Sequence, residues 1–359
     1  MALSDLQVFS EYVYTAQREV LMQKIDLFNA ASKGTIQLRV APVQGDFHTE
    51  AFWGRINGLV RRRNPYITGA QPTKELVMLT DTMVKIAAGT PPVNIPPSQF
   101  RWIQQNPEEG GAIIGQQLAV DTLADMLNTS LMAGVAAMSG EPENIYDNSG
   151  NGAGTLTHPI FNSAQALYGD SYQDILAWVM HSKPLFDIYT DAMTNAHFLF
   201  SFGTVGVRED GFGRVFIISD SPSLVSRTDA MTAGTEDPSG TVIPTQSWVP
   251  LESPDYLGQD LPSPGNPAYV YASLGLTANA IRIDQNSDFD DNVSTLNGDE
   301  NIMRTYQAEW SYNLGIKGFS WDRTNGAHAP NDAALAASTN WDRYATSHKS
   351  LAGVLIKSH

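Results

Sequence analysis

The stretch from Asn106 to Gly140 limits what this chain can fold into more than any other. Asn106 can cap a helix, Pro107 suits the first helical position, and Glu108 and Glu109 meet the positive end of the helix dipole. Apolar residues then recur at Ile114, Leu118, Leu123, Leu127, Leu131, Val135 and Met138, before Gly140 and Pro142 supply a stop. The spacing predicts one helix over 107–139, about 50 Å long at roughly 1.5 Å per residue. A compact globule of 359 residues would have a radius of gyration of only about 21 Å. One helix would therefore cross the whole body, so a flat or elongated subunit organised around it is expected.

The rest of the chain is arranged around that helix. Leu6, Phe9, Val13, Ala16 and Val20 recur at helical spacing, so 4–33 reads as a helix begun by Ser4 or Asp5 and ended by Gly34. Residues 35–90 change character. Strand-like runs at Thr35–Val40 and Phe52–Val60 flank a turn-rich Gln44–Asp46, and apolar character resumes at Leu76–Ala87; this reads as a long β excursion. Pro91, Pro92, Pro96 and Pro97 punctuate the approach to the helix, and 141–156 reads as a Gly/Asn-rich linker. Both could serve as hinges. Beyond it, Ile175–Met180 reads as a strand, Pro184–Thr194 as a helix and Phe212–Ser219 as a strand. Residues 220–267 read as loops, Ala268–Ile283 and Thr305–Trp321 as strand-rich, and 324–359 as a partly helical terminal extension.

Composition excludes several functions. With no Cys there is no disulfide, thiolate nucleophile or zinc-thiolate site. The formal net charge of -16 opposes sequence-independent binding to polyphosphate, which relies on Lys and Arg. The opening MALSDLQVFSEYVY has neither a basic nor an apolar signal-peptide region, and no run reaches the ~18 apolar residues of a membrane span. A soluble protein of the cytoplasm with no membrane partner is expected.

No constellation carries chemistry well. Asp284, Asn286, Asp288 and Asp290 match the first four ligand places of a calcium loop, but Phe289 stands where Gly is needed and Thr295 where Glu is needed; a solvated acidic loop is the expectation. Gly150, Gly152 and Gly154 follow a helix rather than a strand, which suits a linker and not a dinucleotide loop. The seven His are scattered, and His181 reads as a polar strand end. No enzyme activity, cofactor or metal is expected. Arg61, Arg62 and Arg63 form the one dense positive patch. Phosphate binding and a solvated turn are both open readings, but contact with carboxylates of a neighbouring copy is favoured, because an acidic chain self-associates only where charge is cancelled locally.

Three stretches carry a resemblance. Phe100-Arg101-Trp102-Ile103-Gln104-Gln105-Asn106-Pro107 running into Gly115-Gln116-Gln117-Leu118-Ala119-Val120-Asp121 is similar to major capsid proteins of tailed bacteriophages. So is the opening MALSDL with Asp26-Leu27-Phe28-Asn29-Ala30-Ala31. Leu274–Ile281 resembles the strand–turn–strand that such proteins place before an acidic loop, and Tyr312–Trp321 resembles their closing strand. The order of elements resembles the Hong Kong 97 capsid fold, an α+β architecture with an N-terminal arm, an extended β-loop, a long spine helix in a peripheral domain, and a mixed α/β axial domain.

That resemblance implies an arm at 1–35, an extended loop at 36–90 and a peripheral domain with the spine helix at 91–154. An axial domain at 155–283, return strands at 284–323 and a C-terminal extension at 324–359 would follow. It also implies a major capsid protein that self-assembles, through pentamers and hexamers, into an icosahedral virion shell around double-stranded DNA. Assembly would take place in the host bacterial cytoplasm. Portal, scaffold or decoration proteins are the implied partners, and DNA would be held without sequence-specific binding. Some relatives cross-link through a Lys–Asn bond; Lys74 lies near the base of the loop here and no cross-link is expected. An encapsulin-like compartment and a soluble α/β enzyme remain as other readings.

Overall fold

The computed structural model describes residues 3–42, 45–53, 59–66, 68–70, 73–149, 154–191, 197–202, 205–209, 215–227, 269–296 and 303–359. The chain opens with helix α1 (Leu3–Ala31) and strand β1 (Ile36–Val40). The hairpin strands β2 (Phe47–Trp53) and β3 (Met78–Gly89) follow, then the short β4 (Val93–Ile95). Helix α2 (Pro97–Gln105) leads through Asn106 into α3 (Pro107–Ser139), whose bounds match the sequence pattern. Glu108 and Glu109 sit in its first turn.

The second half alternates helix and strand: β5 (Ile145–Asp147), α4 (His158–Ala166), β6 (Ile175–Met180), α5 (Ser182–Asp191), β7 (His197–Phe202), β8 (Val205–Glu209), β9 (Val215–Ser219) and β10 (Val225–Arg227). Then come β11 (Tyr269–Thr277), β12 (Ile281–Gln285), β13 (Asp290–Leu296), β14 (Met303–Ile316) and β15 (Phe319–Trp321). Helix α6 (Asp332–Ala336), β16 (Trp341–Arg343) and β17 (Gly353–Ser358) close the chain.

The strands form two sheets, so the architecture is mixed α and β. In the first, the path runs β1-β12-β14-β15-β16; β14 also pairs with β3, β4 and β13, and β2 hangs from β3. The second runs β5-β17-β11-β6-β9-β8-β7, with β10 on β11. The chain crosses from the second sheet to the first at the turn Ala278–Ala280, where Asn279 takes a positive φ of 53°. Two-residue periodicity decides the facing of β14: Tyr306, Ala308, Trp310, Tyr312, Leu314 and Ile316 are buried, while Gln307 and Glu309 are exposed. In β6 both faces are covered. Ala177 and Val179 join the main core with α1 and α3, while Trp178 and Met180 join a second core with Phe161, Tyr168, Leu185 and Ile356. That is why 175–180 reads as an unbroken apolar run.

Helix α3 bridges the two sheets, touching β12 and β14 of one and β11 and β17 of the other. Against it lies α1, at a separation that only small residues allow. A Cβ at Gly115 would stand 2.6 Å from the Val13 carbonyl oxygen, and one at Gly111 would stand 2.9 Å from that of Phe9. Ala119, one turn on, is fully buried.

Three sequence expectations give way here. Residues 324–359 are no appendage: β17 lies inside the second sheet, antiparallel to β11 and parallel to β5, with Val354, Leu355 and Ile356 fully buried. The linker at 141–156 is partly structured, since Ile145–Asp147 pairs with β17 and the Asn144 amide binds the carbonyls of His348 and Gly353, each at 3.0 Å. Val93–Ile95 is likewise tied to β14. Hinge readings of these two segments ignored long-range pairing, which a local Gly/Pro count does not register. Gly150 and Gly152 and most of 220–267 lie outside the described residues.

Candidate assembly surfaces

The excursion between β2 and β3 is built on a charged root. Glu50 and Asp81 stand directly opposite each other across the hairpin, an unfavourable pairing of like charges unless a cation joins them. Arg282 of β12 is that cation. Its guanidinium donates to Glu50 Oε2 at 3.2 Å and to Asp81 Oδ2. Burial pushes the Asp81 carboxyl above its ordinary range, with Arg282 opposing the shift. At Glu50 burial also acts upward but is outweighed by hydrogen bonding from His48 and the charge of Arg282, so this carboxyl lies below its usual value. The segment after β15 braces the same strand: Arg323 donates to Thr49 Oγ1 and lies over the Phe47 ring, and His328 packs against that ring.

Beyond this root the described residues are exposed. Trp53 is 63% exposed, Leu59 71%, Val60 95% and Tyr66 93%; Leu76, Val77 and Met78 are also more than half exposed. Isolated exposed apolar residues mean little, but this many in one segment single it out as a candidate surface. Arg61, Arg62 and Arg63 lie among them, exposed, and none forms an ion pair with another described residue. The structure thus puts the sequence-predicted basic patch in the same exposed segment as these apolar side chains.

A second surface escaped sequence reasoning. Where α1, α2 and the start of α3 meet, Tyr12, Trp102 and Ile113 are exposed by about two-fifths. A Cβ at Gly110 would lie 3.6 Å from Trp102 Cζ3, and one at Gly111 would lie 2.7 Å from Tyr12 Cβ, so both side chains lie against the start of α3. Glu108 lies beside Tyr12, and its charge and hydrogen bond hold the Tyr12 hydroxyl above its ordinary pKa. The signal in the sequence was present but was assigned wholly to helix capping.

The acidic run 284–290 is not the solvated loop expected from sequence. Asp284 is buried and accepts from Arg39 Nε at 3.0 Å, its register partner on β1. Asn286 is buried and donates to Ser311 Oγ at 2.8 Å, and Asp288 accepts the Ser311 amide at 3.0 Å. Only Asp290 of the four is on the open strand β13. The run is a backbone-bracing network, because alternate residues of a strand end turn inward. Among the described residues no group of His, Asp or Glu is placed to hold a metal ion, and no helix is long and apolar enough to cross a membrane. His181 receives the Lys183 amide on Nδ1 at 3.2 Å and so caps α5, with its ring against Tyr271. Burial lowers its pKa, with Asp220 opposing.

The two sheets, the bridging helix and a segment whose described apolar residues are largely exposed suit a subunit whose work is contact. Comparison with known proteins gives the class: residues 5–355 match a family profile of major capsid proteins, so the chain is a capsid shell protein. It belongs to the Gp13-like family, described as "Major capsid protein 13-like". Similar solved structures include "Capsid of Ralstonia phage GP4" (9% identity, 90% of this chain and 87% of that one, TM-score 0.47). Others are "Mycobacterium phage Adephagia" (9%, 91% and 89%, 0.42) and "Acidic stable capsid structure of Helicobacter pylori bacteriophage KHP30" (9%, 90% and 86%, 0.43). No curated protein sequence matches the chain.

Proposed function

We propose that this capsid protein assembles through pentamers and hexamers into an icosahedral shell around double-stranded DNA, with the Hong Kong 97 arrangement of arm, extended loop, spine helix and axial domain. Helix α1 fills the place of the arm, the β2–β3 excursion that of the extended loop, α3 that of the spine, and the second sheet that of the axial domain. Portal, scaffold or decoration proteins would complete the particle, which would form in the host bacterial cytoplasm. The net charge of -16 fits a shell filled by a motor, since such a lining does not hold its genome by charge.

One observation carries this reading: Leu59, Val60 and Tyr66 stand almost bare beside Arg61, Arg62 and Arg63 on a segment anchored by Glu50, Asp81 and Arg282. A segment so built gains from burial only against another molecule, and its arginines fit carboxylates of an acidic neighbour of the same kind. Replacing Arg61, Arg62 and Arg63 together by Glu should abolish particles in electron micrographs while circular dichroism of the subunit stays unchanged. Normal particles from that variant would refute the role of the excursion.

A further inference from the structure

A notch between α1 and the turn joining β12 to β13 combines apolar walls with hydrogen-bond donors. Its volume is about 30 Å³, room for roughly two or three water-sized groups. The walls are Leu21 and Met22 of α1, Val40 of β1 and Phe289 of the turn. Phe289 is held between two rings, with centroids at 5.5 Å to Tyr14 and 6.2 Å to Trp310. Gln17 also lines the notch; it is only 2% exposed, and its Nε2 is buried with no hydrogen-bond partner. A buried amide in that state is costly until an acceptor reaches it. The next residue, Arg18, is exposed, and its Nη1 donates to the Tyr14 hydroxyl at 2.8 Å, leaving the Tyr14 proton to donate in turn. Arg18 forms no ion pair with another described residue. Ser287 adds a hydroxyl. No Asp or Glu lines the notch, although Asp284 and Asp288 are close in sequence; their carboxylates are engaged by Arg39 and Ser311. The Asn286 amide is likewise taken, by Ser311 and Asn313. The orphaned donor and the single positive charge favour an anion.

We propose that this notch binds a carboxylate carried on a short apolar chain, with its oxygens accepting from Gln17 Nε2, Arg18 and Ser287 and its chain along Met22, Val40 and Phe289. A planar two-oxygen group matches both the volume and the fork of a guanidinium. Phosphate suits the notch less well, because a strongly hydrated dianion gains nothing from apolar walls and is repelled by a net charge of -16. The inference is independent of how copies assemble. Such a carboxylate comes either from a free short-chain acid or from an acidic side chain of another chain, and the test separates the two.

Met22 stands in the wall and is 44% exposed, so its methyl group is a local reporter. The full chain is made with isotope-labelled methionine methyl groups, and the Met22 resonance is assigned with Met22→Leu. Butyrate is then titrated into the unassembled subunit at constant ionic strength. A saturable shift of the Met22 resonance is expected, with a Kd in the millimolar range for so small a ligand. Acetate, which lacks the chain, should bind more weakly. Butylamine, which has the chain and the opposite charge, should not bind. Arg18→Gln should weaken butyrate binding about tenfold, as expected for a lost charge-assisted hydrogen bond. Gln17→Leu should do the same with an unchanged dichroism spectrum; Arg18 is exposed, so its variant keeps the test decisive if Gln17→Leu unfolds. Equilibrium dialysis of radiolabelled butyrate against particles then identifies the source. Uptake by subunit and particle alike assigns a free acid, and uptake by the subunit alone assigns an acidic side chain that fills the notch on assembly. No shift at Met22, an equal shift with butylamine, or binding indifferent to Arg18→Gln would overturn the proposal and leave the notch to water.

Discussion

Gly115→Ala should destabilise this protein although Ala is the better helix former. Nothing else separates α1 from α3 at this point: the new methyl would stand 2.6 Å from the Val13 carbonyl oxygen, 2.9 Å from Ala16 Cβ and 3.1 Å from the Gln17 amide nitrogen. Carbon contacts are optimal at about 3.5–4.0 Å, so the α1 backbone must retreat by roughly 0.6–1 Å. Overpacking of this kind costs about 1–3 kcal/mol, and the gain in helix propensity returns about 1 kcal/mol. The net loss is then about 1 kcal/mol, and roughly double for Gly111→Ala/Gly115→Ala, where Tyr12 Cβ is also met at 2.7 Å. Gly134 in the same helix supplies the opposite sign. A Cβ there meets only the Cδ1 tips of Ile281 at 3.2 Å and Leu274 at 3.6 Å, which can turn aside. Gly134→Ala should gain about 0.5–1 kcal/mol. With an unfolding entropy of about 2 cal/mol/K per residue, these changes shift the melting midpoint of the unassembled subunit by only about 1–3 °C. Urea unfolding at constant m-value is therefore the sharper assay. A Gly115→Ala protein as stable as the parent would show that α1 is not held at backbone contact with α3, and the packing argument would be wrong.

Three more outcomes follow from named contacts. Deleting residues 353–359 removes an inner strand, so the truncated chain should be recovered as insoluble aggregate; a soluble product with unchanged near-ultraviolet dichroism would contradict the placement of β17. His181 has its pKa lowered mainly by burial. The unfolded chain then binds more protons below about pH 6.5, and stability should fall as pH drops through that value toward the folded pKa. His181→Asn keeps a capping side chain without titrating, so that part of the acid loss should vanish in denaturant midpoints measured from pH 7.5 to 5. Tyr168, buried and donating to the Leu351 carbonyl at 3.1 Å, has its pKa raised by burial and then by Asp174. A raised pKa leaves stability intact below about pH 10 and removes it as pH rises further. Tyr168→Phe should cost about 1 kcal/mol at pH 7 and show a shallower alkaline decline; an unchanged decline would place the loss elsewhere.

Local pattern alone determined much of this protein. The bounds of α3 were legible because Pro107, the first-turn acids and a sustained apolar period all act within the helix itself, although Asn106 forms no side-chain capping bond; α1 and β6 were legible from their own apolar patterns. Arg61–Arg63 stood out because three adjacent cations are conspicuous in an acidic chain. Tertiary structure decided what pairs across distance. The burial of Asp284 depends on Arg39, which lies 245 residues earlier in the sequence. The terminal segment became an inner strand because Val354–Ile356 found β11 on one side and β5 on the other, and no neighbouring residue encodes that. Glu108 looks like a first-turn acid in one dimension; only the arrival of Tyr12 beside it gives it a partner from another element. Periodicity is a property of one element and survives in sequence, whereas a surface is assembled from several elements and comes into being only when they pack.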